Sequence, residues 1–224
     1  MVKKHKVNKI VKTSDGSHTI YVPELDEHYH SVNGAVQESE HIFIDYGFNF
    51  CKADPVRIFE AGFGTGLNAL LTCIKSRAAG RKVLYTSIEK YPLSSDVLCR
   101  LNHVQFAGKE GRLLSDLIHN APWGEMNVIC ETFSLMKIKT DLTSGDLKGE
   151  YDLIYFDAFG PDKQPEMWTE EIFWKIGNIT VPGGILVTYS AKGQVKRNLR
   201  AAGFTVTPLP GPPGKREVIR AVKL

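Results

Sequence analysis

The residues best able to do chemistry here are glycines and acids that recur in order along the chain. The first group is Glu60-Ala61-Gly62-Phe63-Gly64-Thr65-Gly66-Leu67-Asn68, with glycines spaced G-x-G-x-G. Glycines let the main chain turn tightly and let a ligand approach the backbone. A dinucleotide fingerprint, G-x-G-x-x-G, would need its last glycine where Leu67 stands. Glu60 also suits a pyrophosphate poorly, because like charges repel. An acid beside this turn better suits a cationic ligand with an amino group, such as S-adenosylmethionine. A glycine-rich turn with no ligand is the plain alternative. Glu89 closes the segment Thr86-Ser87-Ile88-Glu89-Lys90. A carboxylate there can accept two hydrogen bonds from ribose hydroxyls. Asp141, just past a third apolar stretch, is placed either to meet an adenine amino group or to be a solvated loop acid.

The last group is Asp157-Ala158-Phe159-Gly160-Pro161. In open α/β sheets ligands bind outside the carboxyl ends of the strands. The acid and Phe159 would then sit beside the reactive end of a bound cofactor, which suits methyl transfer to an amine. An alkylamine with a pKa near 10.4 is neutral in only about one molecule in two thousand at pH 7, a cost of about 4–5 kcal/mol. A carboxylate can accept the amine proton or hold the nitrogen in line with the methyl. A backbone-capping aspartate is the bland reading of Asp157.

These residues need elements to position them. Val56–Ala61, Lys82–Ile88, Phe133–Ile138, Tyr151–Phe156 and Gly184–Tyr189 read as strands. YDLIYF is almost wholly apolar, as a strand buried on both faces should be. Helical spacing follows the glycine loop at Leu67, Leu70, Leu71 and Ile74, and recurs near 93–102, over 168–178 and from Gly193 to Ala202. Two further strands, near 204–208 and 216–223, have no helix between them and predict an antiparallel hairpin at one edge. Alternating strands and helices mean an α/β fold with a mainly parallel sheet. Residues 1–50 lack a strong helical period, carry turn signals at Ser14-Asp15-Gly16 and Asn33-Gly34, and hold a short strand at Thr19–Val22. They read as an N-terminal extension packed on a main domain of residues 51–224.

The chain has 224 residues, 42% hydrophobic and 24% charged, which excludes wholesale disorder and coiled coil. No apolar run approaches the roughly 18 residues a membrane span needs. The basic start has no apolar stretch after it, so the expected address is the cytoplasm. Cys51, Cys73, Cys99 and Cys130 are widely spaced and read as reduced thiols, with Cys73 and Cys99 in helical apolar patterns. His28 and His30 could share a strand face, but nothing completes a metal set, so no metal is expected. The net charge is +3. Its distribution is more telling: Lys3, Lys4, Lys6, Lys9 and Lys12 crowd the start, and Lys192, Lys196, Arg197, Arg200, Lys215, Arg216, Arg220 and Lys223 the end. Such clusters suit a polyanion, or are ordinary solvated faces.

FEAGFGTGLNALL, SIEKYPL, FDAFGPDKQPEMWTEEIF, TYSAKGQVKRNLRAAGFTV and GPPGKREVIRA occur in that order. From about Tyr29 to Ala221 the chain closely resembles the methyltransferase part of the bifunctional MnmC tRNA-modification enzymes and their stand-alone MnmD-type relatives. The resemblance implies a class I, Rossmann-like S-adenosylmethionine-dependent methyltransferase with a mainly parallel seven-stranded sheet and an antiparallel edge. It implies S-adenosylmethionine as donor and tRNA, at its anticodon region, as partner. The reaction would be N-methylation of the 5-aminomethyl group of wobble (2-thio)uridine, giving the 5-methylaminomethyl nucleoside. By that likeness Glu60, Gly62, Gly64, Gly66 and Glu89 serve the cofactor, and Asn68 and Asp141 stand beside them as further cofactor-binding candidates. Asp157 is the acid at the target amine, with Phe159, Lys215 and Arg216 at the substrate, and the lead-in from Tyr29 to Ser39 helps cover the cofactor. The sequence holds no FAD-dependent oxidase half, so the aminomethyl substrate would come from elsewhere. Two other readings stand beside this one. The first is a methyl or aminopropyl transferase for a small-molecule amine. The second is an RNA-binding protein with a vestigial cofactor pocket.

Overall fold

Two sheets of unequal size carry the fold in a computed structural model that describes residues 8–224. The small one is antiparallel and comprises β1 (Lys9–Lys12), β2 (His18–Val22) and β3 (Glu27–His28). The turn at Ser14-Asp15-Gly16 joins the first two strands. There Asp15 accepts from Thr13 Oγ1 at 2.7 Å and from the Ser17 N–H at 2.9 Å. Asn33-Gly34 is not a hairpin turn: it precedes α1 (Ala35–Ser39), which runs on as a π-helical stretch, Glu40–Phe48. This helical region was invisible to a search at α-helical period, because a π turn breaks the 3.6-residue spacing. Lys3, Lys4 and Lys6 lie outside the described residues.

The large sheet begins with β4 (Val56–Ala61), α2 (Leu67–Ala79) and β5 (Val83–Glu89). It continues through α3 (Ser95–Leu98), α4 (Gly111–Asn120), β6 (Met126–Cys130), β7 (Phe133–Lys139) and β8 (Tyr151–Phe156). It ends with α5 (Glu170–Ile179), β9 (Thr180–Thr188), α6 (Gly193–Ala201), β10 (Phe204–Pro210) and β11 (Glu217–Lys223). The strand order is β10-β11-β9-β8-β4-β5-β7-β6. The central strands β9, β8, β4, β5 and β7 pair in parallel. The tail hairpin β10–β11 joins antiparallel to β9, as expected from the missing helix between its strands.

The sheet has eight strands rather than seven, because β6 adds antiparallel to β7 at the far edge. It is short and solvated, with Val128 77% exposed, so it lacks the apolar run of a central strand. The helix expected near 93–102 shrinks to the single turn of α3. None of its residues is buried, and an isolated turn does not propagate without a packed face. Cys99 is accordingly exposed rather than part of an apolar stripe.

Successive strand residues feed opposite faces. Ile58 and Tyr155 join Ile42, Phe43, Leu70 and Leu114 under the π-helical stretch, α2 and α4. Phe59 and Phe156 join Trp168, Ile172, Phe173 and Leu199 under α5 and α6. This two-sided burial fixes the strands and therefore the loops at their carboxyl ends. Among the described residues no helix is long and apolar enough to cross a membrane.

Candidate active site

A cavity of about 360 Å³ opens at the carboxyl ends of β4, β5, β7 and β8, the place the topology predicts. Its floor is the glycine loop between β4 and α2. Gly62, Gly64 and Gly66 all take positive φ. The Gly62 and Phe63 N–H groups both donate to Ile88 O at 3.1 Å, which ties the loop to β5. A Cβ at Gly62 would lie 3.0 Å from Asp157 O, so the loop and the end of β8 touch only because that side chain is missing. Over Gly64 lies the ring of Tyr29, which meets Phe159 edge-on at 4.9 Å between ring centres. The lead-in segment thus reaches the cavity wall.

Most of the residues singled out in the sequence line this cavity: Gly62, Gly64, Asn68, Glu89, Asp141, Asp157, Phe159 and Lys215. Glu89 Oε2 accepts the Gly64 N–H at 3.0 Å and Oε1 accepts the Tyr91 N–H at 2.8 Å. Each oxygen keeps a lone pair for a further donor. Asp141 is held by Lys90 at 2.7 Å and by Thr143 Oγ1 at 2.7 Å. The Lys90 ammonium, with the Thr143 donors, lowers its carboxyl to about 2.

Asp157 is fixed by extension of the β4–β8 ladder, its N–H donating to Ala61 O at 3.1 Å. Asn68 Nδ2 reaches Asp157 Oδ2 at 2.8 Å and Glu60 Oε1 at 3.1 Å. Burial raises the Asp157 carboxyl to about 7, and the nearby Glu38 adds to the rise. The Asn68 hydrogen bond and the Lys215 charge pull it back. Asp157 therefore changes charge near neutral pH.

Glu60, Gly66 and Arg216 stand outside the cavity wall. Glu60 is fully buried behind Asn68 and accepts from Ser87 Oγ at 2.6 Å. Burial pushes it to about 8, only partly countered by the Ser87 hydroxyl. It supports the wall through Asn68 rather than facing a ligand. Gly66 precedes α2 on the side of the loop facing His119. Arg216 is exposed beside the mouth.

Sequence reasoning assigned no role to Glu38 or Tyr189, which both line the cavity. Glu38 sits in the five-residue α1, too short for a periodic signal. Tyr189 was read only as the end of a strand. His28 and His30 do not share a ligand: His28 stacks on Tyr21 at 4.9 Å, while His30 Nε2 lies 2.7 Å from Thr65 Oγ1. Among the described residues no group of three His, Cys, Asp or Glu is placed to hold a metal.

The donor set fits S-adenosylmethionine. Glu89 and Asp141 offer acceptors at one end, the glycine loop lets a ligand lie on backbone, and Asn68 Oδ1 is buried with no partner of its own. Comparison with known proteins agrees. Residues 125–224 match the family described as S-adenosyl-L-methionine-dependent methyltransferase. The chain is 32% identical over 219 residues to the tRNA 5-methylaminomethyl-2-thiouridine biosynthesis bifunctional protein MnmC of Pseudomonas entomophila, covering 89% of this chain and 33% of that protein. It spans about a third of the length of the curated relatives it matches. Among solved structures, MnmC2 from Aquifex aeolicus superposes with a TM-score of 0.80 at 25% identity, covering 98% of this chain and 71% of that one. Spermidine synthase from Thermotoga maritima superposes at 0.55 with 12% identity, covering 96% and 71%, which shows a shared fold. The resemblance read from the motifs, and the Rossmann-like methyltransferase fold it implied, are borne out.

Proposed function

We propose that this protein transfers a methyl group from S-adenosylmethionine to the 5-aminomethyl nitrogen of the wobble (2-thio)uridine of tRNA. The observation that carries the reading is Asp157, a carboxyl held by Asn68 on the cavity wall against the glycine loop. The similarity to MnmC proteins over most of the chain supports the choice of acceptor.

Glu89 and Asp141 would hold the ribose and adenine of the donor, with Gly62, Gly64 and Asn68 under its amino-acid end. When bound, S-adenosylmethionine supplies a methyl group on a positively charged sulfur. The chain does the rest. Asp157 in its ionised form accepts a hydrogen bond, then a proton, from the incoming ammonium, which frees the nitrogen lone pair. Asn68 fixes the Asp157 carboxylate, and Glu60 fixes Asn68. Tyr29 and Phe159 wall the site with apolar surface and exclude water. We take residues 1–50 as an extension on a 51–224 methyltransferase domain, contributing Tyr29 and Glu38 to that wall.

The tRNA would approach over α6 and the turn at 211–216. Arg197, Arg200 and Arg216 are exposed there. Lys192 pairs with Asp162 and Lys196 with Glu217, which offsets those two charges, so the exposed arginines would carry the phosphate contacts.

The test is methyl transfer from radiolabelled S-adenosylmethionine to tRNA carrying 5-aminomethyl wobble uridine and to the same tRNA without that group. Label in the first alone is the expected result. Label in neither, with cofactor still bound, would overturn the tRNA reading and direct attention to small amines.

A further inference from the structure

The mouth of the cavity is assembled from stretches far apart in the chain. Glu38 comes from α1, Tyr189 from the end of β9, and Lys215 from the turn before β11. Glu38 is only 7% exposed, yet its carboxylate lines the same cavity as Asp157. Its Oε2 accepts the Ser31 N–H at 2.9 Å, and its Oε1 faces Lys215 Nζ at 3.1 Å. The Lys215 ammonium also lies over the Tyr189 ring, 4.9 Å from its centre. The Tyr189 hydroxyl donates to Ala158 O at 2.7 Å, one residue from Asp157. The turn is shaped for this meeting. Gly214 has φ +85°, and a Cβ there would collide with the Asn33 side chain, just ahead of α1. Burying a carboxylate is costly even when it is paired. A turn that needed only to be tied down could have used a neutral contact.

We infer that Glu38 is a specificity-determining residue: with Asp157 it forms a two-carboxylate cage that takes a primary alkylammonium and turns away a nitrogen already carrying a carboxymethyl group. The inference rests on the proposed function. With Asp157 ionised, the protein's own groups here are two carboxylates and one ammonium, that of Lys215 paired with Glu38, so the wall carries one negative charge in excess. That excess attracts an incoming alkylammonium. A carboxymethylated nitrogen would bring its own anion against Glu38, and such like-charge contacts are how sites reject close analogues.

The groups facing Asp157 are Glu38 from α1, Asn68 from α2, Lys215 from the turn and Tyr189 after β9, with Glu60 of β4 behind Asn68. Glu38 disfavours the charged form of Asp157 and Lys215 favours it. Removing either charge should therefore move the Asp157 titration in opposite directions.

The test uses the full chain, S-adenosylmethionine, and tRNA whose wobble uridine carries either an aminomethyl or a carboxymethylaminomethyl group. Wild type is expected to use the first and discriminate against the second. Glu38→Gln is expected to narrow that preference about tenfold or more, chiefly through a higher KM for the aminomethyl tRNA. It should also shift the acidic limb of kcat/KM to lower pH. Lys215→Met should shift that limb to higher pH, and both variants should bind S-adenosylmethionine as wild type does. Should Glu38→Gln fail to fold, Glu38→Asp keeps the charge and is expected to keep the preference; its loss there would overturn the inference. An unchanged preference and pH limb in Glu38→Gln would sink the inference alone. Wild type that methylates neither tRNA would sink the proposed function, and the inference with it.

Discussion

The two ends of the cavity use the same side chain in opposite ways. At the β5–β7 end, Asp141 is partly exposed and surrounded by donors, and Lys90 with Thr143 holds it near 2. Glu89 beside it accepts a backbone N–H on each oxygen. At the β8 end, Asp157 is set among other acids on the cavity wall, itself only part-exposed, and desolvation lifts it to about 7. One end holds permanent acceptors, the other an acid that can take a proton and give it back. A carboxylate's role here follows from what surrounds it: donors fix the charge, while desolvation and like charge make it negotiable.

The comparison breaks most easily at Asp157. Asp157→Ala should lower turnover by about 10²-fold or more, the usual size of an acid–base contribution, while binding of S-adenosylmethionine stays near wild type. Equal losses in both would mean that the two ends are not separate in function.

A smaller, mirror-image effect is expected at Glu89. Glu89→Ala should weaken S-adenosylmethionine binding about tenfold or more, as calorimetry would show, with saturated turnover changed only a few-fold. A large fall in saturated turnover would place Glu89 in the chemistry instead.

The smallest effect concerns stability without ligand. Asp157 and Glu60 both hold their protons more tightly in the folded chain than an ordinary carboxyl does. The stabilisation this gives is complete below about pH 4 and is lost as pH climbs through 7 and 8. These two groups should therefore lower Tm by a few degrees between pH 5 and pH 8, and Glu60→Gln should flatten that slope. An unaltered slope in the variant would show that Glu60 is not held as a neutral acid.

Much of this arrangement was legible in the sequence because it is local. The glycine loop, Glu89 and Asp157 each end an apolar strand, so strand-to-loop punctuation placed them at one rim of the sheet. The tail hairpin was legible for the same reason, since two strands without a helix between them must run antiparallel. What stayed hidden depends on distance or irregular period. The π-helical stretch after α1 has no 3.6-residue stripe, and β6 is too solvated to read as a strand. The α4 segment GRLLSDLIHN does carry paired apolar residues at helical spacing, a signal that went unused. Glu38 gave no sign because its partners, Lys215 and Asp157, meet it only in the folded chain. Glu60 was conspicuous beside the loop, yet its full burial depends on Ser87 and Asn68 closing over it.

The Glu38–Lys215 ion pair also bears on how the protein is made. Its members are far apart in the sequence, so the pair closes a long loop. During synthesis the glycine loop and Glu89 leave the ribosome early, while the acceptor wall waits for Lys215. A nascent chain can thus shape the nucleotide end of the cavity well before it completes the amine end. On this geometry the acceptor wall is complete only once Lys215 has emerged, and a chain halted before it would lack part of that wall.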